Sequence, residues 1–107
     1  MAPKLRYEIY IPTLYNDKTP IEAKKYRIIK NGLQNKFGGL SIHPATVQGS
    51  WLSPEERDFV YDNIYRYEIV VDKDPENERW FEEYKIELKE MLRQNQIFMI
   101  YTEVNWV

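Results

Sequence analysis

The sequence predicts an α+β fold: a ferredoxin-like βαββαβ sandwich, with a four-stranded antiparallel sheet in the order 4-1-3-2 and two helices on one face. Three observations predict it. The word Arg6-Tyr7-Glu8-Ile9 returns as Arg66-Tyr67-Glu68-Ile69. Each copy runs on in an alternating β-branched and aromatic stretch, the pattern of a strand. Each is followed by a polar connection, a proline and a long helical pattern, so residues 1–107 read as one domain of two β-α halves built on two central strands.

The first strand spans about Leu5 to Ile11, with Leu5, Tyr7, Ile9 and Ile11 on one face and Arg6, Glu8 and Tyr10 on the other. Pro12 ends its regular pairing. The first helix is expected from Thr19-Pro20-Ile21-Glu22, which reads as a capping box with proline at the first helical position. Its apolar stripe is Tyr26, Ile29, Leu33 and Phe37, with Ile28 beside it, and Gly38-Gly39 ends it. The second strand lies between Leu40 and Leu52, divided at Pro44, with Gly49 a candidate bulge. Ser53 to Asp58 reads as a turn or a short helical turn. The third strand begins at Phe59 or Ile64, with Asp62-Asn63 interrupting its early part, and reaches Val71.

The second helix opens at Asp74-Pro75-Glu76-Asn77 and carries the stripe Phe81, Tyr84, Leu88, Met91 and Leu92. The last strand runs from Ile97 to about Trp106, with Phe98, Ile100, Thr102 and Val104 assigned to the covered face. On that parity the open face carries Arg6, Glu8, Tyr10, Arg66, Glu68, Val70, Met99, Tyr101 and Glu103.

Composition narrows the function. Fifteen basic and 17 acidic residues give a net charge of -2, which argues against a non-specific binder of nucleic acid or of anionic membranes. There is no cysteine, hence no disulfide, thiolate zinc site or thiol nucleophile. The single histidine, His43, leaves no paired-histidine metal site. No apolar run reaches the ~20 residues of a membrane span, and Met-Ala-Pro-Lys shows no secretory pattern, so a cytoplasmic location is expected. Phe37-Gly38-Gly39-Leu40 ends a helix instead of opening one and is not a phosphate cradle.

Glu8, Glu68 and Glu103 fall on adjacent strands of the expected open face. In register they would repel one another and form an acid–base or metal site. The competing reading pairs them with Arg6 and Arg66 on a solvated surface. Ile9-Tyr10-Ile11-Pro12-Thr13-Leu14 is similar to the first-strand motif of RNA-recognition domains. The matching third-strand stretch, Tyr65-Arg66-Tyr67-Glu68-Ile69, lacks the expected glycine and contains an acid, so nucleic acid is not an expected partner.

The spaced words Phe37-Gly38-Gly39, Gly49-Ser50-Trp51, Tyr67-Glu68, Trp80 and Gln94 carry a further likeness. The chain resembles a family of small, single-domain, uncharacterised bacterial proteins with a pattern of Phe-Gly-Gly, Gly-x-Trp, Tyr-Glu, Trp and Gln. Leu40 stands where that pattern has threonine. The resemblance implies the fold and no reaction. If the family builds a pocket, it implies Trp51, Tyr61, Asp62 and Gln94 as its lining.

No nucleophile–base pair or metal-ligand spacing can be read, so no catalytic residue, metal or cofactor is assigned. The first expectation is therefore a small non-enzymatic binding or self-association module using the open sheet face. Tyr10, Glu68, Tyr101 and Glu103 are its candidate binding residues beside the four pocket candidates. A homodimer through that face is expected, with a further protein or small molecule as partner. The alternative is a small-molecule enzyme resembling dimeric α+β barrels, with a pocket between sheet and partner and with His43, Tyr10 or a glutamate as acid or base.

Overall fold

A computed structural model describes residues 2–53 and 58–107, and side chains at 3–43 and 64–107. The elements are β1 (Ala2–Pro12), α1 (Ala23–Phe37), β2 (Ser41–Ser53), β3 (Asp58–Asp72), α2 (Pro75–Met91) and β4 (Phe98–Trp106). The sheet order is β2-β3-β1-β4, all neighbours antiparallel, which is the expected 4-1-3-2 read from the opposite edge. The two repeated words lie side by side at its centre.

Their register is specific. Glu8 faces Glu68, flanked by Tyr7 against Ile69 and Ile9 against Tyr67. The two copies therefore run through each other in opposite directions and cross at their glutamates. Because side chains alternate across a strand, this crossing sends Leu5, Tyr7, Ile9, Ile11, Tyr67, Ile69 and Val71 into the core together. The helices close over that face with Ile29 and Leu33 from α1 and with Phe81, Tyr84 and Leu88 from α2.

An aromatic ladder joins the layers. Tyr7 of the sheet stacks on Phe81 at 3.8 Å between ring centroids, and Phe81 stacks on Phe37 of α1 at 5.2 Å. Trp80 meets Phe37 edge-on at 5.0 Å and stacks on Tyr84 at 4.6 Å. Such pairs add to the burial of their area. Burial pushes the Tyr67 phenol up to about 12 and raises that of Tyr84 as well, because an apolar surrounding disfavours the phenolate.

Three local expectations differ from the structure. Helix α1 starts at Ala23, and its N-cap, Glu22, makes no side-chain capping bond. Asp17 accepts instead from the Thr19 amide at 3.0 Å and the Thr19 hydroxyl at 2.6 Å. Tyr15 N–H donates to the Thr19 carbonyl and Ile21 N–H to the Thr13 carbonyl, which folds 13–21 back into a compact loop before the helix begins. Glu22 turns its carboxylate to the Tyr15 hydroxyl, which holds it below the usual carboxylate range.

In β2, the irregularity falls between His43 and Val47, bracketing Pro44, whereas Gly49 pairs in step with Asp62. The third strand is continuous through Asp62-Asn63. The expected turn at Ser53 to Asp58 lies largely outside the described residues.

The largest difference is the parity of β4. Tyr101 pairs with Tyr7 and Met99 with Ile9, so these share the covered face, while Ile100 pairs with Glu8 on the open one. Phe98 and Ile100 are accordingly exposed at 62% and 37%. Ile97, just before the strand, is 2% exposed and fixes this choice. The start of α2 is as expected: Asp74 accepts from the Asn77 amide at 2.7 Å, with Pro75 first in the helix.

Leu88 is fully buried among these layers. Leu88→Ala should lower unfolding free energy by ~2–5 kcal/mol, measured by urea denaturation. A loss under about 1 kcal/mol would contradict the packing of α2 on the sheet.

Candidate functional site: the charged open face

The open face is where polar chemistry gathers. Alternation brings Arg6, Glu8 and Tyr10 from β1 to the surface beside Arg66, Glu68 and Val70 from β3, with His43 from β2 opposite Arg66. Phe98 and Ile100 wall the β4 side, and the Tyr10 and Phe98 rings meet at 5.1 Å.

At its centre stand two carboxylates on directly opposed residues. Such side chains start only ~5 Å apart at Cβ. Their repulsion is answered from the flanks. Arg66 Nη1 lies 3.5 Å from Glu8 Oε1, and His43 Nε2 lies 3.9 Å from Glu68 Oε2. The latter contact is too long for a hydrogen bond. The Glu8 side chain is only 13% exposed, Glu68 27% and Arg66 31%. This is a recess in the sheet surface with charge partly screened from water.

Three nitrogens in this recess are shut from solvent and have no hydrogen-bond partner among the described residues: Nε of Arg6, Nε of Arg66 and Nε2 of His43. A buried donor without an acceptor costs free energy, and native structures leave few. The recess thus offers two acidic acceptors and a set of cationic donors whose capacity the protein does not use up. That arrangement suits a ligand carrying both charges.

The residues singled out in the sequence are distributed as follows. Tyr10 and Glu68 lie in or beside the recess. Tyr101 and Glu103 share the opposite face of β4, where Glu103 is paired with Lys73 at 2.9 Å. The three-glutamate cluster is therefore a pair, split by the parity of β4. Among the described residues no group of three or more His, Cys, Asp or Glu side chains could hold a metal ion. Gln94 sits past the C-terminus of α2, where its amide donates to the Leu92 carbonyl at 3.0 Å and the Leu14 carbonyl at 3.5 Å, tying the helix end to the 13–21 loop. Trp51, Tyr61 and Asp62 have side chains outside the described residues.

Sequence reasoning offers His43 only as an acid or base of the alternative enzyme reading, and the two arginines as counter-ions. The signal it could have used is the repeat itself, since two copies crossing antiparallel must bring their central residues face to face.

No protein-family model matches the chain, and no curated protein matches it. Among solved structures, a phage SAM lyase in complex with S-methyl-5'-thioadenosine is similar in fold, with a TM-score of 0.69. The match covers 99% of this chain and 92% of that one at 12% sequence identity. The likeness shows the fold. It also overturns the expectation of a non-enzymatic binding or self-association module of unknown function, because the same architecture, over nearly the whole chain, is that of an enzyme with a small-molecule ligand. Among the described residues, no helix is long and apolar enough to cross a membrane.

Arg66→Ala should cost ~1–2 kcal/mol in urea unfolding, because it leaves Glu8 facing Glu68 with less counter-charge. The figure sits below that of a fully buried pair because Arg66 is 31% exposed. Glu8→Gln in the Arg66→Ala background should recover part of the loss. Equal stability of Arg66→Ala and wild type would remove the ion pair as a structural element.

Proposed function

We propose that this protein is a small-molecule enzyme, a lyase acting on a sulfonium of the S-adenosylmethionine class, with the open-face recess as its site. The observation that carries the reading is the opposed Glu8–Glu68 pair set among unused cationic donors. S-adenosylmethionine carries an ammonium, a sulfonium, a carboxylate and an adenine ring. Glu8 and Glu68 match the two cations. Arg6 and Arg66 match the carboxylate, since guanidinium donates to it in charge-assisted bonds, and His43 adds a ring nitrogen beside them. Tyr10 and Phe98 offer ring faces for the adenine. The whole-chain fold likeness to a phage SAM lyase supports the same substrate class.

Cleaving the carbon–sulfur bond to the amino-acid chain sends the bonding pair to sulfur and releases a neutral thioether, while loss of a proton from the adjacent carbon leaves its pair as a new carbon–carbon double bond. The protein's share of that step is to orient the amino-acid end, exclude water and hold or accept a proton. Glu68, with His43 beside it, is the group placed for the proton. A cytoplasmic location fits this substrate.

The recess is shallow, and a second copy of the chain completes it. Phe98 at 62% exposure and Ile100 form the apolar rim that such a partner would cover, and Trp106, at 57% exposure, extends the apolar surface further along β4. This keeps the homodimer expected from sequence and gives the pocket its second wall.

Incubation with S-adenosylmethionine should release S-methyl-5'-thioadenosine, read by chromatography and mass spectrometry. Glu68→Gln should cut the rate ~100-fold or more while leaving the fold intact. No thioether from folded wild-type protein would sink the lyase reading. Light scattering should return a mass of about two 13.0 kDa chains. A mass of one chain across micromolar concentrations would remove the second wall.

A further inference from the structure

On the opposite side of β4 from the recess, α2 and the sheet edge leave a second concavity of about 340 Å3. Its floor is Tyr7 and Phe81, its outer wall Met99 and Tyr101, and its α2 rim Glu78, Glu82 and Lys85. Glu78 and Glu82 are one helical turn apart and so project on the same side. Neither is in an ion pair among the described residues, whereas Glu103 nearby is matched by Lys73.

Tyr7 provides the second, independent observation. It is 4% exposed, yet its hydroxyl makes no hydrogen bond among the described residues and lies on the lining of the groove. Burial, then the negative charge of Glu78, Tyr101 and Glu82, pushes its phenol up to about 12. Glu78 and Glu82 line the same groove as Tyr7. The Tyr7 and Tyr101 rings, 5.3 Å apart and tilted at 42°, add π faces there. With only two carboxylates and no third metal-binding side chain among the described residues, the donor set does not suit a metal ion.

We propose that this groove binds a small organic cation carrying a flat ring, with the cation between Glu78 and Glu82, the Tyr7 hydroxyl as a further polar contact, and the ring against Tyr101. Acid plus aromatic surface is the combination that selects such cations, through ion pairing and through attraction of the cation to the ring quadrupole. The site stands apart from the lyase reading: it shares no residue with the Glu8–Glu68 recess and lies on the other face of the sheet.

The test is a titration of the full-length protein with benzamidinium, followed by amide NMR shifts, with uncharged benzamide as the isosteric control. Benzamidinium should bind in the millimolar range or tighter, with shifts centred on 78–85 and 99–101. Benzamide should bind about tenfold more weakly, since it lacks the charge that two part-exposed carboxylates would hold. Glu78→Gln with Glu82→Gln should weaken benzamidinium by a similar factor, and Tyr7→Phe by about twofold to tenfold. Both glutamates are on the helix exterior, so an unchanged amide spectrum elsewhere will show that the double variant folds. Equal binding of benzamide and benzamidinium, undiminished affinity in the double variant, or shifts centred on Glu8 and Glu68 would each overturn the proposal. Loss of lyase activity in Glu68→Gln without change in benzamidinium affinity would keep the two sites separate.

Discussion

The structure depends on one pairing: β1 and β3 crossing antiparallel with Glu8 against Glu68. A slip of one residue would turn Leu5, Tyr7, Ile9 and Ile11 out to water and bring Arg6 and Glu8 into the core. The burial of those four residues makes that slip prohibitive, at ~1.5–3 kcal/mol for each large apolar side chain. The core therefore fixes the register, and the register fixes which charges meet outside. Two opposed carboxylates would not be a favourable choice on their own. They are held there by residues on the far side of the same strands.

The aromatic ladder extends that control to the helices. Tyr7 belongs to the β1 run that sets the register, and it also stacks on Phe81, which stacks in turn on Phe37. Sheet, α2 and α1 are thus joined by two consecutive flat contacts. Trp80 and Tyr84 broaden the α2 side of the joint. At the other end of α2, Gln94 and the Lys25 ammonium, which donates to the Met91 carbonyl at 2.7 Å, pin the helix terminus to the loop and to α1. The open face consequently rests on a platform tied at both ends of its longest helix. Pre-organised charge of this sort costs less to hold in place when a ligand arrives.

Much of this was legible in the residues. The repeated word located the central strands, and the Asp74-Pro75 start and the period of Phe81, Tyr84 and Leu88 located α2. Parity in β4 was not legible. Ile97, Met99 and Tyr101 are as apolar as Phe98 and Ile100, so alternation gives no sign of which set is inside. The pairing with β1 decides it, and that is a long-range fact. The start of α1 misled for a different reason. Thr19, Pro20 and Glu22 have the chemistry of a cap, but Asp17 captures Thr19 first and Tyr15 takes Glu22. Of the site, the carboxylates were read as a trio on adjacent strands, whereas Glu8 and Glu68 face each other and the parity of β4 takes Glu103 to the other side. The groove acids on α2 passed for ordinary helix-surface charge, since nothing in sequence spacing announces Tyr7 beside them.

The crossing of two copies of one word has a consequence for how a ligand can lie. A perfectly two-fold recess would look the same from both ends and would accept a molecule in two orientations equally. This one is uneven. Arg66 reaches Glu8, whereas Glu68 has His43 as its neighbour, contributed by a strand present on one side only. On the other side β4 supplies Phe98 and Ile100. One half of the recess is therefore cationic and the other apolar, so a bound molecule with a charged head and a flat tail has a direction imposed on it. The repeat builds the paired acids, and the mismatch between its two surroundings gives them a polarity.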